Sequence, residues 1–190
     1  MFPHIDELAR LLNQDQLVLF VGAGLSYQAI HKTGNNLRLP LWKDLAQRVA
    51  EHCGHQNREN NDLLDLFDSI ATNMSRGRLE EAVRHAIPSD EFAPSDAHRE
   101  LSKICWNIIV TTNYDNLLSE CLSEKSPIVT EPNYEWLSRS DTERPKLVHI
   151  HGTLSNPHTL TGSDYAQWDE QHPLAYNFLK TLRQQKLFYL

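Results

Sequence analysis

The sequence predicts an α/β protein: a doubly wound, mostly parallel sheet with a helical insertion after its first strand. Three observations carry this. Leu17–Val21 is an uninterrupted apolar run that ends directly in Gly22-Ala23-Gly24, as expected of a strand buried on both faces that turns at once into a helix. Asn107–Thr112 is apolar and β-branched, and Lys146–His151 is a further strand-like run ending in His151-Gly152. Segments of helical spacing separate these runs, the pattern that gives a parallel sheet with helices on its faces.

In chain order, Ile5, Leu8, Leu11 and Leu12 form the apolar stripe of an opening helix that ends before Asn13-Gln14-Asp15-Gln16. The first strand follows. A helix beginning at Leu39–Trp42 runs to about Cys53, with Trp42, Leu45, Ala46 and Val49 turned inward. Two more are expected at Asp62–Ser69 and Leu79–Ala86, the second stopped by Pro88, and another at Ser95–Ile104 with Ser95 as its N-cap. Residues 39–104 thus make up the insertion. After the Asn107–Thr112 strand a helix is expected over Asp115–Cys121, then a short strand at Ile128–Thr130, the strand Lys146–His151, a helix at Pro173–Gln184 and a last strand at Leu187–Leu190. The expectation is one domain spanning residues 1–190 whose sequence stops in mid-strand, so that the rest of the domain and any partner domain lie beyond it.

Composition narrows the class. At 190 residues with 40% apolar and 23% charged content, the chain fits a globular domain with one core. It has no apolar run of about 18 residues and no signal-like N-terminus, so neither membrane spanning nor secretion is expected and the cytoplasm is the default. Cys53, Cys105 and Cys121 lack any CxxC spacing, which argues against a disulfide framework and a thiolate zinc site. His52, Cys53 and His55 read as solvated polar residues at a helix end. A net charge of −7 disfavours nucleic-acid binding, although backbone N–H groups at a helix start can hold a small anion without basic residues.

In a Rossmann-like sheet, ligands bind beyond the carboxyl ends of the strands, and right-handed crossovers put those ends on one edge. Three strand ends carry chemistry: Gly22-Ala23-Gly24-Leu25-Ser26, Thr112-Asn113-Tyr114-Asp115 and His149-Ile150-His151-Gly152. Each is open to more than one reading. The glycines serve either a tight turn or the close approach of a phosphate, and they depart from the dinucleotide fingerprint because Tyr27 stands where a third glycine belongs. Ser26 is a cap or a ligand contact and lacks the nucleophile-elbow pattern. Asn113 and Asp115 are either helix caps or groups that hold sugar hydroxyls and orient an amide. His149 and His151 are core histidines, an H-x-H metal pair left without a third ligand, or, for His151, a general base with room beside it at Gly152.

Taken together, GAGLS (Gly22–Ser26), TTNYD (Thr111–Asp115) and HIHGTL (His149–Leu154) resemble the words of the sirtuin superfamily, in its order and at strand ends. The closer likeness is to bacterial sirtuin-like domains that hydrolyse NAD in antiphage defence, which Leu160–Trp168 (LTGSDYAQW) also resembles. The resemblance covers residues 17–190. It implies that Gly22, Ala23, Gly24 and Ser26 contact the NAD phosphates and adjoining ribose. Asn113 would hold the nicotinamide ribose, Asp115 would place the carboxamide, and His151 would be the base. Asp164 and Tyr165 fall in the bacterial segment and are counted with the NAD-binding residues.

The departures select a branch. The four-cysteine zinc module of deacylating sirtuins has no counterpart, so no metal is expected, and Leu39-Pro40-Leu41-Trp42 lacks the arginine of their aromatic-arginine pair. The later glycine loop that follows a strand like Leu187–Leu190 falls outside the sequence. The resemblance therefore implies an NAD glycohydrolase releasing nicotinamide and ADP-ribose as the effector of abortive infection. It further implies control through homo-oligomerisation, a partner defence protein or a C-terminal domain. The rivals are a module that senses NAD or ADP-ribose and a zinc-free deacylase.

Overall fold

A computed structural model describes residues 4–55, 63–124, 126–130, 133–138 and 145–189. Helix α1 (Ile5–Asn13) leads into strand β1 (Leu17–Val21) and a single helical turn, α2 (Ala23–Ser26). Strand β2 (Ile30–His31) is followed by helices α3 (Trp42–His52), α4 (Leu63–Asn73) and α5 (Arg76–Ala86), then by strand β3 (Phe92–Ala93) and helix α6 (Asp96–Lys103). Next come β4 (Ile108–Thr111), β5 (Ile128–Val129), β6 (Lys146–His149), β7 (Gly152–Thr153) and β8 (Asn156–Pro157). The described chain closes with α7 (Gly162–Ala166), α8 (Trp168–Gln171), α9 (Pro173–Gln185) and β9 (Leu187–Tyr189).

The main sheet has five strands in the order β5-β6-β4-β1-β9, every pair parallel. The α/β, Rossmann-like expectation holds. Because successive strand residues face opposite sides, β1 serves two cores. Val18 joins Val110, Val129 and Val148 under Ala175 and Leu182 of α9. Leu17 and Leu19 join Ile109 and Leu147 against Leu11 of α1, Trp106 and, at the edge, Leu101 of α6. A third core lies within the helices α3, α4 and α5, where Leu45, Val49, Phe67, Ile70, Leu79 and Val83 are buried together with Tyr114, Leu117 and Leu160. Register aligns Val21 with Thr111 and Thr111 with His149, so the residues that follow them emerge side by side from one edge.

Helix starts follow local chemistry. Ser95 caps α6 as expected, with His98 Nδ1 3.2 Å from the Ser95 backbone N–H. Ser75 accepts the Arg78 N–H at 3.2 Å at the start of α5. The expected start at Asp62 and the strand end at Leu190 lie outside the described residues.

Two expectations need correction. Asp115–Cys121 is not an α-helix; only a 3-10 turn forms, at Ser119–Cys121. The Asp115 carboxylate accepts the Leu117 N–H at 3.2 Å, and the Tyr114 carbonyl accepts the Leu154 N–H at 2.8 Å, so groups a helix start would use are engaged otherwise. The strand Lys146–His151 ends at His149, because Ile150 and His151 turn into the β7–β8 hairpin. The His151 carbonyl there accepts N–H groups from His158 (3.1 Å) and Thr159 (3.3 Å). Gly152 has φ +89°, and a Cβ on it would stand 2.2 Å from the Asn156 carbonyl, so the hairpin requires glycine. Periodicity also passed over the short antiparallel pairs β2–β3 and β7–β8 and the helices α7 and α8.

Candidate active site

The three strand ends meet. One cavity of about 320 Å³ is lined by Ala23 and Ser26 after β1, Thr112 to Asp115 after β4 and His151 after β6. Tyr165 of α7 closes one side, and Leu39, Pro40, Trp42, Leu45 and Ile87 of the helical layer form an apolar wall. The volume lies at the small end of small-molecule sites. Its lining holds neither lysine nor arginine among the described residues.

A directed hydrogen-bond chain joins the first two ends. Asn113 Nδ2 donates to the Gly22 carbonyl at 3.0 Å and to Ser26 Oγ at 2.7 Å, and Ser26 Oγ donates to Asp115 Oδ2 at 2.6 Å. Since a carbonyl only accepts, the Gly22 bond fixes which way the Asn113 amide faces. Oδ1 is left as an acceptor with no hydrogen bond to a described residue. The Asn113 backbone is held as well: its N–H donates to Thr111 Oγ1 at 3.0 Å, and its carbonyl accepts Nδ1–H of His149 at 2.9 Å. His149 is buried, and burial lowers its pKa, with the Asn113 carbonyl acting in the opposite direction. The two histidines therefore do different things: His149 anchors Asn113, and His151 faces the cavity.

His151 is half-buried between aromatic rings, 6.4 Å from Tyr114 and 5.1 Å from Tyr165 between centroids. Desolvation lowers its pKa to about 4, so the imidazole is neutral at pH 7 and able to take a proton. Tyr114 itself is buried and donates to the Thr159 carbonyl at 2.5 Å. Burial and the neighbouring Asp164 raise the Tyr165 pKa and keep its phenol protonated.

Gly22 and Gly24 occupy ordinary backbone: Gly22 is extended at φ −125°, Gly24 lies within α2, and neither is crowded. A tight turn does not account for them. Neither glycine is in the cavity lining, which Ala23 between them joins; the N–H groups of Ala23 and Gly24 precede the first intrahelical hydrogen bond, from Leu25 to the Gly22 carbonyl.

Asp164 is absent from the cavity lining. Its Oδ2 accepts the N–H groups of Leu160 (2.8 Å) and Thr161 (2.9 Å) and pairs with Arg76 of α5 at 2.5 Å. Burial opposes its charge, but these donors outweigh it and lower the pKa. With Thr161 it forms a capping box at the start of α7, a pattern legible in T-G-S-D. Arg76, and Asp68 2.8 Å from Ser163 Oγ, went unnoticed in the sequence, where nothing ties them to positions about 90 residues away.

Comparison with known proteins bears on the family of the fold. Residues 107–189 match the SIR2-like domain. The NAD(+) hydrolase ThsA of Acinetobacter baumannii (strain 532279) is 27% identical over 165 residues, which cover 83% of this chain and 32% of that protein. The NAD(+) hydrolase ThsA of Cytobacillus dafuensis is 24% identical, covering 90% of this chain and 33% of the relative. Defense-associated sirtuin 2 of Bacillus subtilis is 22% identical, covering 94% and 18%. Residues 107–189 are thus similar to the SIR2-like domain, and the chain is distantly similar to these NAD hydrolases and to the defence sirtuin. It spans about a third or less of their length. No helix among the described residues is long and apolar enough to cross a membrane.

Proposed function

We propose that the cleft hydrolyses NAD at the bond between nicotinamide and ribose, releasing nicotinamide, ADP-ribose and a proton, as the effector of an antiphage defence system. The observation that carries this reading is the placement of Asn113 and His151 on one cavity, the amide pre-set by Gly22 and Ser26 and the imidazole neutral. The relatives named NAD(+) hydrolases support the substrate.

Each group has a task. Asn113 Oδ1 accepts from the ribose hydroxyls. Asp115 holds Ser26 and through it Asn113, and its charge near the ribose favours the positive character that builds there as the bond breaks. Nicotinamide leaves as a neutral base, so no general acid is required. His151 takes the proton from the attacking water or from a ribose hydroxyl, a contribution of about 10²- to 10⁴-fold. The bare backbone at Gly22–Gly24 and the Ser26 turn face the phosphates and adjoining ribose. Tyr165 lines the nicotinamide end, while Asp164 acts from behind it by holding α7. Control through oligomerisation or through a partner protein or domain is part of the proposal.

The test is nicotinamide release by the full-length protein, with and without an acylated peptide. Release without peptide, abolished in His151→Ala and in Asn113→Ala, is the expected result. Release that needs the peptide would make it a deacylase, and NAD binding without release a sensor.

A further inference from the structure

We propose that Tyr165 is a positioning residue for His151: its phenol oxygen accepts a hydrogen bond from Nδ1–H of the imidazole, which leaves the lone pair on Nε2. This deepens the reading of His151 as base and rests on it.

The two side chains meet from elements fixed independently. Tyr165 Oη lies 3.4 Å from His151 Nδ1, at the long limit of a hydrogen bond, and the rings stand edge to face at 83°. The His151 main chain is pinned by the His158 and Thr159 N–H groups. Tyr165 rides on α7, a short helix that would not hold its place by itself. Four features hold it: the Thr161–Asp164 capping box, the Arg76–Asp164 ion pair, the hydrogen bond from Ser163 to Asp68, and Gly162, where a Cβ would meet Asp68 Oδ2 at 2.7 Å. The helical layer thus sets the distance from Tyr165 to His151.

The direction of the bond decides the chemistry. A neutral imidazole has one donor and one acceptor nitrogen, and the partner of one nitrogen selects the role of the other. If Tyr165 donated to Nδ1, Nε2 would carry the proton and could not serve as base. With the phenol oxygen as acceptor, Nδ1 keeps the proton and Nε2 accepts one. No charge moves, since the phenol remains protonated.

The experiment uses the full chain with ¹⁵N-labelled histidine. Long-range ¹H–¹⁵N correlation at neutral pH reads the His151 tautomer, assigned by its disappearance in His151→Gln. The wild type is expected to carry its proton on Nδ1, and Tyr165→Phe, which keeps the ring and removes the oxygen, to shift it toward Nε2. In the same variant kcat for nicotinamide release should fall about 10-fold, part of the contribution of a general base, with KM within about 2-fold. A wild-type proton on Nε2 overturns the proposal even if the variant does not fold. An unchanged tautomer and kcat in Tyr165→Phe overturn it while leaving His151 as base. Undiminished release in His151→Ala overturns the base assignment and this proposal with it.

Discussion

Ser26 Oγ lies 2.6 Å from Asp115 Oδ2, binding the turn after β1 to the segment after β4. The same oxygen accepts from Asn113, so one hydroxyl orders both residues. Ser26→Ala removes two hydrogen bonds, one buried and one partly buried, and leaves Asp115 Oδ2 without its donor. Urea unfolding should report a loss of roughly 1–3 kcal/mol. Nicotinamide release should fall as well, because the Asn113 amide loses one of its two fixed partners.

Asn113→Asp tests the direction of the amide. The change sets a carboxylate oxygen opposite the Gly22 carbonyl, now 3.0 Å from a donor. Two acceptors then face each other, so the variant should unfold at a lower denaturant concentration than Asn113→Ala. Equal midpoints would show that the Gly22 bond does not orient the side chain.

Gly152→Ala tests the hairpin beyond His151. The backbone at φ +89° costs a residue with a side chain about 1–3 kcal/mol, and the Cβ meets the Asn156 carbonyl besides. Thermal melting should show one of the largest drops of any single substitution in the chain. Gly24→Ala is the contrast: its Cβ has open space around it, so the melting temperature should barely move.

Stability should depend on pH through the buried histidines. His151 and His158 are held near pKa 4, chiefly by desolvation, and burial lowers His149 and His98 too. Unfolded, each would titrate near the ordinary value of about 6.5. The unfolded chain therefore binds more protons below that pH, and folding loses stability as the pH falls from about 6.5 toward 4. The loss is about 1.4 kcal/mol per pH unit for each group that titrates only in the unfolded chain. Denaturant midpoints measured from pH 7.5 to 4.5 would check it; a flat profile would mean the imidazoles are better solvated than the structure has them.

The thiols give a further check. Cys105 is exposed, whereas Cys53 is buried and Cys121 half-buried, and burial raises the pKa of both. A thiol reagent should label Cys105 first in the native protein, and Cys53 only after unfolding.

What was legible in the sequence follows physical range. β1, β4 and β6 were read from apolar runs because a strand buried on both faces needs little beyond its own composition, and their carboxyl ends brought Ser26, Asn113 and His151 to one edge. The missed features depend on distant partners. Asp115–Cys121 has helical spacing, yet Asp115 is bound to Ser26, and Tyr114 reaches Thr159, so the segment turns instead. His149 and His151 look alike in sequence, and only the turn at Gly152 separates an anchor for Asn113 from a group lining the cavity. Asp164 is expected among the NAD-binding residues, and its T-x-x-D spacing also describes the capping box that the structure shows. Its pairing with Arg76 crosses 88 residues and leaves no local trace.

That the described lining of the cleft holds no lysine or arginine has a consequence for conditions in solution. Under the proposed function, an anionic dinucleotide held there by backbone N–H groups and side-chain dipoles, with no lysine or arginine among the described lining residues, would displace few counter-ions when it settles. Its affinity should change little between dilute buffer and several hundred millimolar salt, where the screening length shrinks to a few ångströms.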